Sequence, residues 1–261
     1  MPDTIGPMPG AMTRPEELAR LLAGAWREKT QAAVPPALAP QDNADAYRVQ
    51  QAFLHQLGSP IGGWKVGAKS ADGPIQGAPL PQAWIHPDAA MLPRTRFPVL
   101  GIELEIMFRL GRDFLPGAPP PGEEEVRDAI AGVAASIEIV SSRLAGWPDV
   151  PKPSQLADLQ NHGALVVGEW VGRWDGIDFL TPQARLAFNG REVFAGAGGN
   201  PAGDPRRLLL WVVRHCHAQG IPLPAGTPIT AGSYTGMFFP QEAGTVEGRI
   251  GALPPIRFDI V

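Results

Sequence analysis

The sequence predicts a mixed α+β fold: a curled β-sheet core carrying an N-terminal helical layer. Three observations carry that prediction. Several separate segments alternate apolar and polar residues at period two, as strands with one buried face do. Helix-period patterns cluster before residue 60, and turn residues are frequent, with 31 Gly and 30 Pro in 261 residues. The regular strand–helix alternation of a doubly wound parallel sheet is missing. The chain therefore divides into an N-terminal helical region, residues 1–60, packed on an α+β unit, residues 61–261, the two forming one compact body.

Residues 1 to about 12 are rich in Pro and Gly and are expected to be poorly ordered. Thr13 followed by Glu16 has the spacing of a capping box, and Leu18, Leu21, Leu22 and Ala25 mark one helix face behind it. Pro35, Pro36 and Pro40 interrupt that helix. Asp42 and Asp45 offer a second start, with Ala46, Val49, Phe53, Leu54 and Leu57 as the packed side. From Ile61 a short strand enters a Gly-rich bend, and residues 71 to 98 read as extended loop and short strands. Leu100 to Leu110 alternates without a break. Pro119 to Glu125 opens a helix carrying Val126, Ile130 and Val133, with its end near Ala135, after which Ser136 to Ser141 returns to alternation. Ala164 to Trp170 suggests a further strand. Asn189-Gly190 between Ala184–Phe188 and Arg191–Phe194 signals a type I′ hairpin. Asp204-Pro205 begins a helix running to about Gln219, and Ile256, Phe258 and Ile260 alternate in a terminal strand.

Composition excludes several classes of function. The chain is 44% apolar and 18% charged with a formal charge of -4, and it has no basic run interleaved with aromatics, which argues against nucleic acid as a partner. Cys216 is the single cysteine, so neither an intrachain disulfide nor a thiolate metal cluster can form within one chain. His215-Cys216-His217 resembles a ligand cluster on paper, but adjacent helical residues diverge by about 100°. No signal-peptide pattern or bilayer-length apolar run occurs, and a cytoplasmic location is expected.

The segment from Leu100 to Leu110 is the most informative in the chain. Its apolar residues take one strand face, so Glu103 and Glu105 share the other, roughly 6.6 Å apart along the strand. Neighbouring carboxylates raise one another's pKa unless a cation neutralises them. Such a pair is either a solvated strand face or half of a metal site. Glu138, flanked by Ile137 and Ile139 on an independent strand, supplies a third carboxylate if folding brings it near. Three carboxylates with water suit a hard divalent ion such as Mg²⁺ or Mn²⁺.

Gly63-Trp64-Lys65-Val66-Gly67, Glu103-Leu104-Glu105, Glu138 to Arg143, Asp158 to Gly168, Asn189-Gly190 and Thr230-Ala231-Gly232-Ser233 follow one another in order. Together they resemble the 2-keto-4-pentenoate hydratase and 4-oxalocrotonate decarboxylase family, within the fumarylacetoacetate hydrolase superfamily, from about Asp45 to the C-terminus. The resemblance implies the fold of the superfamily's C-terminal domain, with residues 61–261 as the metal-binding catalytic part. It implies one Mg²⁺ or Mn²⁺ on Glu103, Glu105 and Glu138, and a small 2-keto acid or its dienol as substrate, chelated through its carboxylate and 2-oxygen. Lys65 matches the family lysine, which neutralises substrate charge or moves a proton; its bland alternative is a surface charge or an ion-pair partner. Homo-oligomers and a role in degrading aromatic compounds are implied as well.

Two departures stand out. The family commonly has Asp-Asn where this chain has Asp158-Leu159, and Leu159 offers none of the amide's hydrogen bonds. The acid that often precedes a proline near the substrate in hydratases is absent from Gly77-Ala78-Pro79-Leu80-Pro81. His162 is either a substitute proton carrier or a hydrogen-bonded loop residue. Arg143 either orients Glu138 or binds a substrate carboxylate, or else forms a structural ion pair. Asp158 orients the lysine or positions water, and Ser70 and Ser233 are candidates for hydrogen bonds to substrate. The leading expectation is a metal-dependent hydratase of a small unsaturated 2-keto acid. A 4-oxalocrotonate-type decarboxylase is the near rival, followed by an acylpyruvate C–C hydrolase or tautomerase and by a noncatalytic ligand-binding homologue.

Overall fold

A computed structural model describes residues 12–261, so the expectation for the first eleven residues lies outside it. The described residues form helices α1 (Arg14–Glu28), α2 (Asn43–Leu57), α3 (Glu123–Asp128), α4 (Lys152–Ala157) and α5 (Arg206–Ala218). The strands are β1 (Ile61–Gly67), β2 (Gln76–Pro81), β3 (Ile85–Pro87), β4 (Met91–Leu92), β5 (Gly101–Leu110) and β6 (Ile130–Val140). They continue with β7 (His162–Val167), β8 (Gln183–Phe188), β9 (Arg191–Ala197), β10 (Pro228–Ser233), β11 (Gly244–Ile250) and β12 (Ile256–Ile260).

Helix α1 starts where the spacing predicts: the Glu16 carboxylate accepts from the Thr13 N–H at 2.7 Å and its hydroxyl at 2.9 Å. Asp42 caps α2 by accepting from the Asp45 N–H at 2.8 Å, and Gly58 ends it in the left-handed region at φ 63°. Leu18, Leu22, Val49 and Phe53 pack the two helices into one apolar cluster that also takes in Trp84, Leu156 and Leu159. This helical layer thus reaches the segment that borders the site.

The strands form two mixed sheets. One runs β2-β1-β10-β5-β6-β7-β3 and the other β4-β12-β11-β8-β9. The pairs β1/β10, β3/β7 and β4/β12 are parallel and the remaining neighbours antiparallel. The main core includes Ile102, Leu104 and Ile137 of the first sheet with Val246, Ile256 and Phe258 of the second. The sheets approach closely at Gly248, where a Cβ would lie 2.7 Å from Leu104. Helix α5 covers this core with Leu208, Leu209, Val212 and Val213 and buries Cys216. Its two histidines go separate ways: His215 stacks on Trp211 at 4.6 Å, while His217 Nε2 donates to the Ala118 carbonyl at 2.6 Å. Asn189 and Gly190 take φ 52° and 74°, as the hairpin motif requires.

Two element boundaries differ from the sequence expectation. The helix expected to run to about Ala135 stops at Asp128, and a strand begins at Ile130. Strand β6 is buried on both faces except at Ala131, so its apolar residues do not alternate, and Val126, Ile130 and Val133 mimic helical spacing. Likewise β7 covers His162–Val167 rather than Ala164 to Trp170.

Candidate metal centre and pocket

Antiparallel register places Glu103 of β5 directly opposite Glu138 of β6, and Glu105 opposite Ser136. Cross-strand partners share a sheet face, so all three carboxylates meet, and one oxygen from each falls within 4.8 Å of the others. Glu105 and Glu138 are buried, at 2% and 1% exposure. Strand β10 lies against β5 and contributes the Thr230 hydroxyl and the Gly232 N–H (3.2 Å) to one Glu105 oxygen. Ser136 and Thr230 exchange a hydroxyl bond of 3.0 Å beneath them.

Lys65 enters from β1. Its Nζ donates to Glu138 Oε1 at 2.5 Å and to the Gln160 carbonyl at 3.2 Å. Those bonds occupy two of its three N–H groups. That carbonyl is presented by a left-handed turn of three consecutive side-chain-bearing residues, Leu159, Gln160 and Asn161, at φ 50°, 51° and 62°. His162 Nδ1 meets the same Glu138 oxygen at 2.9 Å. Glu138 Oε2 and His162 Nε2 are buried without a hydrogen-bond partner.

The electrostatics follow from these contacts. Burial and the neighbouring Glu138 charge push Glu103 up to about 7; the same causes, with Glu103 added, push Glu105 up to about 8. Burial acts on Glu138 in the same direction, but Lys65 and His162 overcome it and hold that carboxyl below its usual range. Lys65 is desolvated, yet the surrounding carboxylates raise its pKa and keep it an ammonium. Burial lowers His162. Three carboxylates, two of them buried, with one lysine beside them and the buried Glu138 Oε2 left without a donor, lack positive charge. An all-oxygen donor set of this kind fits Mg²⁺ or Mn²⁺.

A cavity of about 480 Å³ opens onto the cluster. Its lining includes the three glutamates, Lys65 and Ser233, all singled out in the sequence. It also includes Lys69, Gln76, Lys152, Gln160 and Asn200, which sequence reasoning passed over. Of these only the lysines had left a signal, through their rarity in the chain.

The structure brings Arg143 and Asp158 together elsewhere. Both are fully buried, and the Arg143 Nε donates to Asp158 Oδ1. Asp158 Oδ2 also accepts from the Ser142 hydroxyl at 3.0 Å and the Arg143 N–H at 2.9 Å. The guanidinium completes its set on the carbonyls of His162 and Asp158, each at 2.6 Å, and lies 5.4–5.5 Å from the Trp26, Phe53 and Trp84 rings. Of the readings open for Arg143 this is the structural ion pair, with no side-chain contact to Glu138; its partner Asp158 touches neither Lys65 nor the cavity. His162 sits behind Glu138, stacked on Trp84 at 6.0 Å, outside the cavity lining. Ser70 is outside it too; its carbonyl accepts from Gly73 and Arg207. Leu159 is fully buried in the apolar cluster that also holds Leu156 and Phe53.

No protein-family model matches the chain. The chain is 30% identical over 224 residues, 82% of its length and 82% of the relative's, to the 2-keto-4-pentenoate hydratase of Paraburkholderia xenovorans (strain LB400). The same figures hold for the 2-keto-4-pentenoate hydratase 3 of Pseudomonas putida. Among solved structures, the fold is similar to the 4-oxalocrotonate decarboxylase of Pseudomonas putida G7 complexed with magnesium and adipate. That similarity has a TM-score of 0.83 at 22% identity over 97% of this chain and 100% of that one. The 2-hydroxyhepta-2,4-diene-1,7-dioate isomerase of Mycobacterium marinum is more distant, with a TM-score of 0.58 at 17% identity over 78% and 76% of the two chains.

Proposed function

The chain belongs to the 2-keto-4-pentenoate hydratase and 4-oxalocrotonate decarboxylase family of the fumarylacetoacetate hydrolase superfamily, and from that premise we propose that it is a divalent-metal-dependent decarboxylase of a small unsaturated 2-oxo acid. One observation carries the choice of reaction. Among the described residues, the cavity is lined by no carboxylate outside the glutamate triad, and its one nearby imidazole, His162, is sealed behind Glu138. Hydration needs a group that activates water and another that delivers a proton to carbon. Loss of CO2 needs an electron sink and a cation.

A divalent ion held by Glu103, Glu105 and Glu138 would supply Lewis-acid polarisation of a 2-oxo group chelated with its carboxylate. Lys65, fixed as an ammonium by Glu138 and the Gln160 carbonyl, keeps one N–H for the substrate oxygen on which charge develops. Electrons from the bond to the departing carboxylate pass through the conjugated double bond to that oxygen; CO2 leaves and a proton completes the dienol. Val66, Ala68, Pro74 and Pro201 give the cavity apolar wall, which leaves a carboxylate there poorly solvated and eases its loss.

Hydration of the dienol remains the second reading, favoured by the two relatives at 30% identity. Mass-resolved turnover separates the two. With Mg²⁺, an oxalocrotonate-like diacid should lose 44 mass units as CO2 (roughly, the elementary mass of the departing group), and chelator should stop the reaction. A gain of water on a 2-hydroxydienoate, with no CO2 released from the diacid, would replace this reading with the hydratase.

A further inference from the structure

Helix α5 carries two stripes with different partners. Leu208, Leu209, Val212, Val213 and Cys216 face the core. Beside them Arg207, Leu210, Trp211, Arg214 and His215 recur at helical spacing, and this second stripe lines a cavity of about 600 Å³. The second cavity shares no lining residue with the one over the glutamates. We propose that it binds an aromatic carboxylate, and that its occupancy orders the wall standing between the two cavities; the site is independent of the reaction chosen above.

The lining selects both charge and shape. Arg206 turns away to Asp204, whereas Arg207 and Arg214 have no carboxylate partner among the described residues. Both are instead fixed on backbone carbonyls. Arg207 donates from Nε to Ala202 at 2.9 Å and from Nη2 to Ser70 at 3.1 Å. Arg214 places Nε and Nη2 on Pro121, at 3.3 and 3.2 Å. Each guanidinium is thus oriented and keeps its Nη1 donors for an anion. Glu123 is the one carboxylate of the lining, and Arg127 engages it at 3.0 Å. Ring surface comes from Trp211, whose plane lies 10° from that of His215 at 4.6 Å, with Tyr47 a further 4.5 Å from the imidazole. Burial holds His215 down at about 4, so it stands there as a neutral ring and not as a third cation. Ile75 and Leu210 add apolar wall. A flat ring bearing one carboxylate uses all of these groups. An aliphatic acid forgoes the stacking, and a neutral arene forgoes the charge.

The two cavities are separated by a partition one residue thick. Pro74 and Gln76 line the cavity over the glutamates, and Ile75, between them, lines the second. Arg207 holds this segment at one end through the Ser70 carbonyl, and Trp211 meets it at the other. Gly77 is wedged there so closely that a Cβ would lie 2.6 Å from the Trp211 ring and 2.9 Å from the Lys65 carbonyl. Strand β2 pairs with β1 at the same point, with Gly77 opposite Val66. A ligand resting on Arg207 and Trp211 therefore grips both ends of residues 70–77, whose other side borders the glutamate cavity.

The test is calorimetry of the full chain with benzoate, benzamide and cyclohexanecarboxylate, each with and without Mg²⁺, followed by amide hydrogen exchange read by mass spectrometry. Benzoate should bind about tenfold more tightly than either analogue, the gain expected from a charge-assisted contact together with ring stacking. Its affinity should be the same without Mg²⁺, and exchange across residues 70–77 should slow when it is bound. Arg207→Gln with Arg214→Gln should abolish both effects, and Trp211→Leu should bring benzoate down to the level of cyclohexanecarboxylate. Unchanged melting curves show that each variant is folded; should the Arg207 change unfold the chain, a loss of benzoate affinity in Arg214→Gln alone carries the test. No binding of benzoate, equal binding of all three compounds, or binding that requires Mg²⁺ overturns the site. Benzoate bound with exchange unchanged overturns the ordering of the wall. The decarboxylase reading is decided separately, by turnover.

Discussion

Two buried ionic clusters lie at opposite ends of residues 158–162, and they are built on opposite plans. At one end Asp158 and Arg143 are fully buried, and every oxygen of the carboxylate and every nitrogen of the guanidinium has a partner. At the other end three glutamates share one lysine, one imidazole, one hydroxyl and one backbone amide, and Glu138 Oε2 is left with none. Similar carboxylates in similar burial therefore do different things. A closed hydrogen-bond ledger holds backbone in place, and an open one holds a site ready for a cation.

Breaking the closed cluster should have the largest effect. Arg143→Met strands a buried Asp158 charge and should cost about 3–5 kcal/mol of folding stability in denaturant titrations. Removing the acid as well, in Arg143→Met with Asp158→Leu, should recover part of that loss. Lys65→Ala tests the open cluster: with the far-UV spectrum unchanged, kcat should fall by about 10²–10⁴-fold, the range expected when a positioned proton or charge donor is lost. Wild-type turnover in that variant would leave Lys65 as an ion-pair partner only.

Glu105→Gln should separate binding from folding. Mg²⁺ affinity measured by calorimetry should drop by about a hundredfold or more, since even groups behind a ligand carry roughly 10–100-fold. The metal-free variant should be no less stable than wild type, because one of three repelling carboxylates is gone. The pH dependence sharpens the same contrast. In the metal-free protein Glu103 and Glu105 hold protons more tightly when folded than when unfolded, at about 7 and about 8. Metal-free stability should therefore decline as pH rises from the ordinary carboxylate range toward about 8. Saturating Mg²⁺ should reverse that slope, because it binds the deprotonated carboxylates of the folded state. The smallest effect belongs to a position remote from both clusters. Asn189→Ala, at φ 52° and without the bond Asn189 Oδ1 accepts from the Thr245 N–H, should cost about 1–2 kcal/mol and leave Mg²⁺ affinity unchanged.

What could be read from the sequence was whatever local pattern controls. Period two put Glu103 and Glu105 on one face, Asn189-Gly190 marked its hairpin, and Thr13 with Glu16 marked its helix start. What could not be read depended on pairing between distant segments. Lys65 and Glu138 are 73 residues apart, and only the register of β5 on β6 places Glu138 opposite Glu103. Strand β6 passes for a helix because both of its faces are buried and the alternation disappears. Arg143 and Asp158 were read as separate candidates because their mutual satisfaction exists only after folding. The left-handed turn at Leu159–Asn161 has no glycine to announce it.

That turn has a practical consequence for anyone mapping this protein by mutagenesis. It is a strap of three residues, buckled at one end to Arg143 through Asp158 and at the other delivering the Gln160 carbonyl to Lys65. Trp26, Phe53 and Trp84, the rings round the buckle, come from or lie beside the helical layer and line no part of the cavity. In a library scored only on product formed, substitutions of those rings would register as catalytic hits, and a map drawn from such scores would place the active site a layer too deep.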